Sequence, residues 1–497
     1  MELQFRKTPL NCLRRAAWEV KNEEQTQEVK IPEAMPDIGK VLGAWGQPVI
    51  RGKEWRGSSM SMSGGVMAWV LYAPEDGSGP RTVESWIPFQ MRWDFPQTQR
   101  DGSMIFDCRI ANMDARTVSA RKLMVRCSLS VAGEALEPAQ MDIYAPDDLP
   151  EDIQVLRNAY PVRLPVEAGE KTFLLDEELP ATCDGLEKLM YYTLQPEITE
   201  KKVLADKVIF RGVARLHGLC RCDGGELKTC DYELPFSQYS ELENLYEPYA
   251  TVRIIPGVTS VELEMQEDGN LHLKAGMVGQ YVVSDRPMLE VVEDAYSNTR
   301  SVELKMQELE LPVILEERQE QLKAEQSADA EGNRIVDVSF TAAQPTDRRR
   351  EDMLRMQMPG NFQMLCYADD GILQSVSARW DGDMEIPVPE QADIMAWTRW
   401  GGNPQGSLGG GNASFHTDVV MDMMTVSEAG ISMVTALELG ETVESDPQRP
   451  SLILCRRGDD SLWSVAKRCG STVDAIRQAN DLMDDGEDDR MLLIPVS

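Results

Sequence analysis

The side chains best suited to chemistry cluster in the middle of the chain, where His217 precedes Cys220, Cys222 and Cys230. Imidazole and thiolate groups are the ligands that structural zinc sites use. In a strand, however, a C-x-C spacing points both thiols to one face, without the turn that a C-x₂-C zinc site contains. We therefore favour buried or unpaired thiols over a metal site, and we predict neither a metal nor a cofactor.

Catalytic groups are few. The three histidines are His217, His272 and His416. The first two lie in strand-like segments, where a structural or solvent-facing role is commoner, and we expect the third to be exposed. The chain has no G-x-S-x-G, H-E-x-x-H or phosphate-binding Gly-Lys motif. Carboxylates such as Glu84 or Asp94 suit a glycan hydrolase when paired roughly 5–10 Å apart. One sequence cannot establish such a pair, so we predict a protein that is not an enzyme.

Aromatic side chains crowd the first part of the chain. A row of tryptophans suits either sugar stacking or packing, and alternating strand positions favour packing in a core or between repeats. The five tryptophans are Trp45, Trp55, Trp69, Trp86 and Trp93. We therefore predict packing for this set.

Composition narrows the class of protein. The 497 residues include 83 acidic and 50 basic side chains, a formal net charge of −33. This charge repels phosphate backbones and anionic lipids, so we expect no nucleic-acid partner. The ten cysteines are scattered in a chain too large to need a disulfide framework, which indicates a reducing compartment. The first twenty residues lack the apolar run of a secretory signal, and we expect no transmembrane segment.

The chain repeats itself at long period. GGVMAWVLYAPEDG, which contains Gly65, and GVARLHGLCRCDGG, which begins at Gly212, stand 147 residues apart. Pro88 and Pro235, which follow these two segments, are also 147 residues apart. A weaker third copy shows the same motifs at residues 360–371, 385–387 and 431–437. Its offsets from the second copy drift, and a Gly-rich loop at 401–414 supplies the extra residues.

Each copy has the pattern of antiparallel strands. Asp-Gly pairs at 76–77, 223–224, 268–269 and 370–371 favour tight hairpins, and the recurring proline suits an edge strand. Residues 315–325 could form a helix, although we favour a solvated connector. We predict a mainly β protein of three tandem antiparallel repeats plus a small α+β module. The predicted ranges are an N-terminal segment 1–25, β repeats 26–165, 166–312 and 313–440, a linker 441–450 and a module 451–497.

The C-terminal module has its own helix signals. From residue 452 the chain reads LILCRRGDDSLWSVAKRCGSTVDAIRQANDLMDDGEDDRMLLIPVS. Asp460 or Ser461 can cap a first helix that Gly470 ends, and Thr472 can open a second. Short apolar strands flank the two helices, giving a βααβ order. The spacing of Gly-Asp, Ser-Leu-Trp, Asn-x-Leu and Leu-x-Ile-Pro resembles that of a LysM domain.

The LysM resemblance implies a shallow groove between two loops, which in this family binds N-acetylglucosamine polymers such as peptidoglycan. It places these groove residues on the chain: Gly458, Asp459, Asp460, Ser461, Leu462, Asp481, Leu482, Met483, Asp484 and Asp485. The implied core residues are Trp463, Ile476, Asn480 and Ile494. The second loop departs from the family pattern because it is strongly acidic. A basic protein partner therefore suits it at least as well as a glycan.

Three β repeats, the segments at residues 25–38 and 49–55, VVEDAYS at 291–297 and a terminal LysM together resemble the SPOCS-domain sporulation proteins of Clostridia. The resemblance implies a coat morphogenetic adaptor made in the mother-cell cytoplasm and placed at the forespore surface, in the spore coat. It implies that the LysM module docks onto the coat basement protein SpoIVA or a similar protein, alongside other coat proteins. The alternative is a cortex protein that binds peptidoglycan through LysM.

Overall fold

Strands dominate the structure, a computed structural model that describes residues 2–96, 101–183, 185–442, 450–457, 460–482 and 491–496. Within these ranges the α-helices lie near the C-terminus, in the module beyond residue 450. The predicted fold class, mainly β with a small α+β module, is confirmed.

Repeat 1 consists of two antiparallel sheets, one of order β2-β7-β6 and one of order β3-β4-β5. Its strands are β2 (Arg6–Lys30), β3 (Ile38–Arg56), β4 (Ser59–Pro74), β5 (Arg81–Asp94), β6 (Ser103–Ser119) and β7 (Lys122–Ala145). A short β1 (Glu2–Gln4) precedes it, and β8 (Ile153–Pro161) follows it.

Repeat 2 has the same plan, with one sheet of order β12-β13-β9 and one built from β10 and β11. Its strands are β9 (Leu164–Leu179), β10 (Leu186–Cys222), β11 (Leu227–Tyr246), β12 (Thr251–Met265) and β13 (Leu271–Asp285). Within β10 the backbone of Ala205 has a positive φ of 50°. After repeat 2, β14 (Met288–Ser297) pairs with β8, so the two connecting segments form a small sheet of their own.

Repeat 3 ends in a long closing strand that pairs with four others, including β1. Its strands are β15 (Arg300–Asp329), β16 (Arg334–Ala342), β17 (Thr346–Arg350), β18 (Met353–Tyr367), β19 (Leu373–Pro387), β20 (Ala392–Trp400), β21 (Gln405–Gly409) and β22 (Asn412–Thr442). The β1–β22 pairing ties the start of the chain to the end of the repeat array.

The predicted turns and edges are confirmed. Gly77, Gly224, Gly269 and Gly371 all have φ between 71° and 84°. Each lies between two paired antiparallel strands, where only glycine adopts this conformation without strain. The recurring prolines lie in β5, β11 and β19, each of which pairs along one side within the described residues. A missing N–H is harmless at such an edge.

Each repeat closes when its first strand pairs with a strand near its end: β2 with β7, β9 with β13 and β15 with β22. The predicted boundaries at 25/26, 165/166, 312/313 and 440/441 therefore fall inside β2, β9, β15 and β22. Sequence similarity locates the central hairpins of a repeat, whereas the partner of an opening strand lies too far along the chain to show in a local pattern.

Two local predictions were wrong. Residues 315–325 are part of β15, where alternating side chains such as Leu322 and Ala324 pack inward and the acidic ones face solvent. The Gly-rich stretch is a hairpin, because Gln405–Gly409 pairs with the start of β22 across Gly410 and Gly411, both at positive φ. In each case pairing with β22 supplies hydrogen bonds that a loop or connector would lack.

Buried glutamine amides join the repeats. Gln280 of repeat 2 donates from Nε2 to the Phe106 carbonyl of repeat 1 (2.8 Å) and accepts the Phe106 N–H on Oε1 (3.0 Å). Gln47 accepts the Leu194 N–H from repeat 2 (2.6 Å). Gln344 of repeat 3 donates from its backbone N–H to Ser130 Oγ (2.9 Å) and from its side-chain Nε2 to the Asp107 carbonyl (3.4 Å), both in repeat 1. All three amide side chains belong to buried residues.

We predict that Gln280→Leu destabilises the fold by about 2–4 kcal/mol, because it leaves the buried Phe106 N–H and C=O without partners. Urea unfolding of the full chain measures this change. Gln357→Leu, at an exposed position of β18, is the matched control and should stay within about 0.5 kcal/mol of wild type. Equal effects of the two substitutions would show that the amide bridge contributes nothing.

Candidate functional site

The C-terminal module forms from two strands and two helices. β23 (Leu452–Arg456) pairs antiparallel with β24 (Met491–Pro495), and α1 (Leu462–Cys469) and α2 (Val473–Ala479) lie between them in sequence. The Ser461 side chain accepts the Ser464 N–H, and Thr472 accepts the Ala475 N–H. Gly470, at φ 66°, ends α1. Together with the two flanking strands, these capped helices give the predicted βααβ order.

The core of the module lies between the helices and the inner face of the two strands. Its fully buried side chains are Leu462, Val465, Ala466, Ile476, Leu492 and Ile494. Asn480 ties α2 to β24, since its Nδ2 donates to the carbonyls of Ile476 (2.8 Å) and Leu493 (2.6 Å). Its Oδ1 accepts the Leu493 N–H at 2.7 Å. Asn480 therefore acts as a hydrogen-bonded clamp.

The predicted groove residues are only partly described. Gly458, Asp459, Met483, Asp484 and Asp485 lie outside the described residues. Asp460 forms an ion pair with Arg468 at 2.7 Å, and Ser461 is exposed at the helix cap. Asp481 is exposed with φ 50°, and Leu482 packs against the core. Leu462 is completely buried and belongs to the core rather than to the groove.

One side of α1 lies against β14 of the repeat array. The Trp463 indole Nε1 donates to Asp294 Oδ2 at 2.7 Å, and Lys467 Nζ lies 2.7 and 2.8 Å from the two oxygens of the same carboxylate. The Trp463 ring meets the Tyr296 ring edge to face, with centroids 4.8 Å apart. Trp463 was predicted as core, and it is half-buried at this contact.

Tyr296 extends the contact to the loop between the helices. Its hydroxyl donates to the Ser471 carbonyl at 2.8 Å, and Asn298 Nδ2 donates to the same oxygen at 3.1 Å. Burial, followed by the nearby Asp294 carboxylate, raises the pKa of Tyr296 to about 12, so the hydroxyl stays protonated as a donor. Sequence reasoning missed the roles of Asp294 and Tyr296, although both lie in the VVEDAYS segment that it singled out.

The outer face of the β23–β24 sheet carries an apolar patch, which we define as Leu452, Leu454, Met491 and Leu493. These side chains are 50%, 61%, 52% and 36% exposed. Leu454 and Leu493 lie directly opposite each other, while the alternate residues Ile453 and Ile494 face the helices. The module thus presents one face to its own repeat array and an apolar face to solvent.

Comparison with protein-family models agrees with this architecture. Residues 186–266, from the start of β10 to just past β12, match the SipL, SPOCS domain model, and residues 456–486 match the LysM domain model. The chain carries a SPOCS domain and a LysM domain. Both resemblances drawn from the sequence are confirmed, and the combination is that of a sporulation-related protein. No curated protein and no solved structure matches the chain.

The cysteine and histidine candidates of the SPOCS region separate in space. Cys222 forms a disulfide with Cys183, which corrects the expectation of free thiols at this position. The Cys220 and Cys230 sulfurs lie 3.2 Å apart in the core. Cys183 is far from Cys222 in sequence, so spacing gave no sign of the bond. Among the described residues, no group of three or more His, Cys, Asp or Glu side chains is placed to hold a metal ion.

His217 has two carboxylate neighbours, Asp231 at 2.7 Å from Nδ1 and Asp337 of repeat 3 at 3.1 Å from Nε2. Burial alone would lower its pKa, but the interactions with these carboxylates outweigh burial and raise the pKa to about 10. His272 pairs with Asp176 at 2.6 Å, and His416, expected to be exposed, is half-buried with its Nδ1 3.5 Å from Glu325. His217 therefore links repeats 2 and 3.

The remaining candidates are the five tryptophans and the two carboxylates of repeat 1. Trp45 stacks on Tyr191 of repeat 2 with centroids 4.2 Å apart, and Trp93 is completely buried against Phe106. Similar contacts are made by Trp55 with Phe95, Trp69 with Tyr192 and Trp86 with Arg51. The prediction of packing is confirmed. Glu84 and Asp94 lie ten residues apart on one strand, about 33 Å, too far to form one catalytic pair.

In the part of the chain that the structure describes, no helix is long and apolar enough to cross a lipid bilayer.

We predict that Asp294→Asn loosens the LysM domain from the repeat array, because it removes the charge that pairs with Lys467 and weakens the acceptor for Trp463. Amide ¹⁵N relaxation of the full chain measures this, and the LysM amides should tumble faster than those of the repeats. Glu290→Gln, at an exposed position of β14, is the control and should leave the two rates equal. Unchanged relaxation in Asp294→Asn would show that this contact does not hold the domain.

We predict a pH-dependent contribution of His217 to stability. Because its folded-state pKa of about 10 lies above the ordinary 6.5, its contribution is complete below pH 6.5 and is lost as the pH rises through about 10. The difference in unfolding free energy between wild type and His217→Asn should therefore shrink from pH 6 to pH 10. Urea unfolding measures it, with His416→Asn, at a half-buried histidine, as control. A difference that grows with pH would contradict the assignment.

Proposed function

We propose that the protein is a non-enzymatic adaptor in spore-coat assembly, made in the mother-cell cytoplasm and placed at the forespore surface. In this proposal the LysM domain docks a SpoIVA-like coat protein, and the repeat array is the scaffold that carries it. The SPOCS and LysM matches support a role in sporulation. The separation of Glu84 from Asp94 removes the pair first considered for glycan hydrolysis.

The apolar patch is the observation that carries the docking proposal. Protein interfaces are built from an apolar centre with a polar rim, and contiguous exposed apolar side chains mark such surfaces. The patch has four apolar side chains on one flat sheet face. In the sequence, the acidic run DDGEDD at 484–489 is separated from Met491 of the patch by Arg490 alone. An apolar surface flanked by basic residues is the complementary partner.

The repeat array suits a scaffold. Amide bridges and the cluster around His217 hold its repeats in one arrangement. A net charge of −33 attracts basic coat proteins over several ångströms and accelerates their association at low salt. The LysM domain adds a second binding surface to the same body, and two linked surfaces raise avidity for a polymeric partner.

The alternative function is binding of peptidoglycan or cortex polymers through LysM. The LysM match itself favours it, and the exposed Ser461 and Asp481 flank the loops where such a groove would lie. Sugar recognition uses hydrogen bonds and aromatic faces, whereas the one tryptophan of the module contacts Asp294 and Tyr296. This arrangement favours the protein partner.

We predict that the full chain binds a SpoIVA-like protein more tightly than chitin oligomers, and that Leu454→Glu weakens the protein binding about tenfold or more. A charge at the centre of an apolar interface stays desolvated and unpaired, which costs this much or more. Isothermal titration measures both ligands.

The matched control is Gln478→Glu, which adds the same charge on the exposed side of α2. It should bind the SpoIVA-like protein within about twofold of wild type. Tighter binding of chitin oligomers than of the SpoIVA-like protein would favour the cortex function. Full protein binding by Leu454→Glu would locate the interface elsewhere on the chain.

A further inference from the structure

The three repeats enclose a cavity of about 950 Å³. Repeat 1 contributes Trp45 and Arg109 to its wall, repeat 2 contributes Lys201 and His217, and repeat 3 contributes Asp337 and Arg399. The volume falls within the range of roughly 300–1,000 Å³ that is typical of small-molecule sites. The cavity lies far along the chain from the LysM domain and plays no part in the proposed docking.

Most charged groups on the wall neutralise one another. Glu197 forms ion pairs with Arg215 and, at 3.0 Å, with Arg399, which also lies 3.2 Å from Asp422. His217 lies between two carboxylates, and Arg109 pairs with Asp107 at 3.1 Å. These groups have partners in the protein, so they do not need a ligand to balance them.

Lys201 is the exception. Among the described residues, no carboxylate oxygen lies within 4.0 Å of its Nζ. Its side chain has a large accessible surface, yet burial lowers its pKa, with Glu317 and Asp422 acting against this from further away. Because Lys201 is accessible and lines the cavity, its side chain faces the cavity space rather than the protein core. The cavity therefore contains one cation without a direct counter-ion.

Neutral hydrogen-bonding groups line the same cavity as Lys201. The side chains of Gln195, Asn361, Asn403 and Gln405 belong to residues of the wall. Asn403 and Gln405 lie in the Gly-rich stretch, where a second pocket of about 340 Å³ shares both residues with the main cavity. The segment at residues 403–405 therefore lies where the two pockets meet.

We propose that this cavity binds a small hydroxylated carboxylate, of the chemical class of an acidic sugar. The ligand's carboxylate pairs with Lys201, and its hydroxyl groups exchange hydrogen bonds with the wall amides. An apolar ligand would leave Lys201 and the wall amides without partners, and a neutral sugar would leave Lys201 without a counter-ion. A polyphosphate carries more negative charge than one unpaired lysine balances.

The test measures binding of glucuronate and of glucose to the full chain by saturation-transfer NMR and isothermal titration. We expect glucuronate to bind and glucose to bind about tenfold more weakly or not at all. Lys201→Met should weaken glucuronate binding about tenfold or more, the loss that one charged hydrogen bond accounts for. Lys201→Arg keeps the charge and should retain binding.

Lys202→Met is the matched control, because neighbouring strand residues point to opposite sides and Lys202 does not line the cavity. It should bind glucuronate as wild type does. Equal binding of glucose and glucuronate, no binding of either at millimolar concentration, or full binding by Lys201→Met would each overturn the proposal. Loss of binding in Lys201→Arg as well as Lys201→Met would overturn the role of the charge.

Discussion

The arrangement of the three repeats depends on side-chain amides that satisfy backbone groups across a repeat boundary. Gln280 provides both a donor and an acceptor to Phe106, so the two repeats fit in one register and no other. Apolar contacts add free energy without direction, whereas a buried donor or acceptor that loses its partner costs about 1–3 kcal/mol. These amides therefore fix the position of the repeats, while the apolar clusters supply most of the stability.

The fixed arrangement explains why polar groups can line an interior cavity. His217 and Tyr191 of repeat 2 both contact Asp337 of repeat 3, and Trp45 of repeat 1 stacks on the same tyrosine and donates to Ser339 at 3.1 Å. Each repeat thus contributes part of one hydrogen-bonded cluster. No single repeat contains the cluster, so the surface of the cavity exists only in the assembled array.

Local features of this fold could be predicted from the sequence and distant ones could not. The Asp-Gly turns, the edge prolines and the LysM helix caps depend on a few adjacent residues, and their chemistry shows in the pattern. The pairing of β2 with β7 joins residues as far apart as Arg6 and Ala145, which no periodicity reveals. Residues 315–325 resemble a connector because they are acidic and lack aromatic side chains, and pairing with β22 makes them a strand.

In the candidate functional site, too, local features could be predicted and distant contacts could not. Ile476 and Ile494 belong to a short module whose spacing the family shares, whereas the partner of Trp463 is Asp294, 169 residues away. The Cys183–Cys222 disulfide also joins distant segments, with a sequence separation of 39. Contacts of this kind become visible only when the chain is folded, because their residue types are ordinary for the strands in which they occur.

The contact between the LysM domain and the array is strong enough to position the domain and weak enough to be reversible. The hydrogen bond from the Trp463 indole to the Asp294 carboxylate contributes about 1.5–3 kcal/mol. The contact between the Trp463 and Tyr296 rings contributes about 0.5–1.5 kcal/mol, and the partly exposed ion pair of Lys467 with Asp294 contributes less than about 1 kcal/mol. Because the linker keeps the domain near the array, such a contact stays closed most of the time. A partner that covers the apolar patch leaves this contact intact, since the patch and α1 lie on different faces of the module. A partner that bound Trp463 would first have to break the contact between Trp463 and Asp294. The free energy of that contact would be subtracted from the partner's binding free energy.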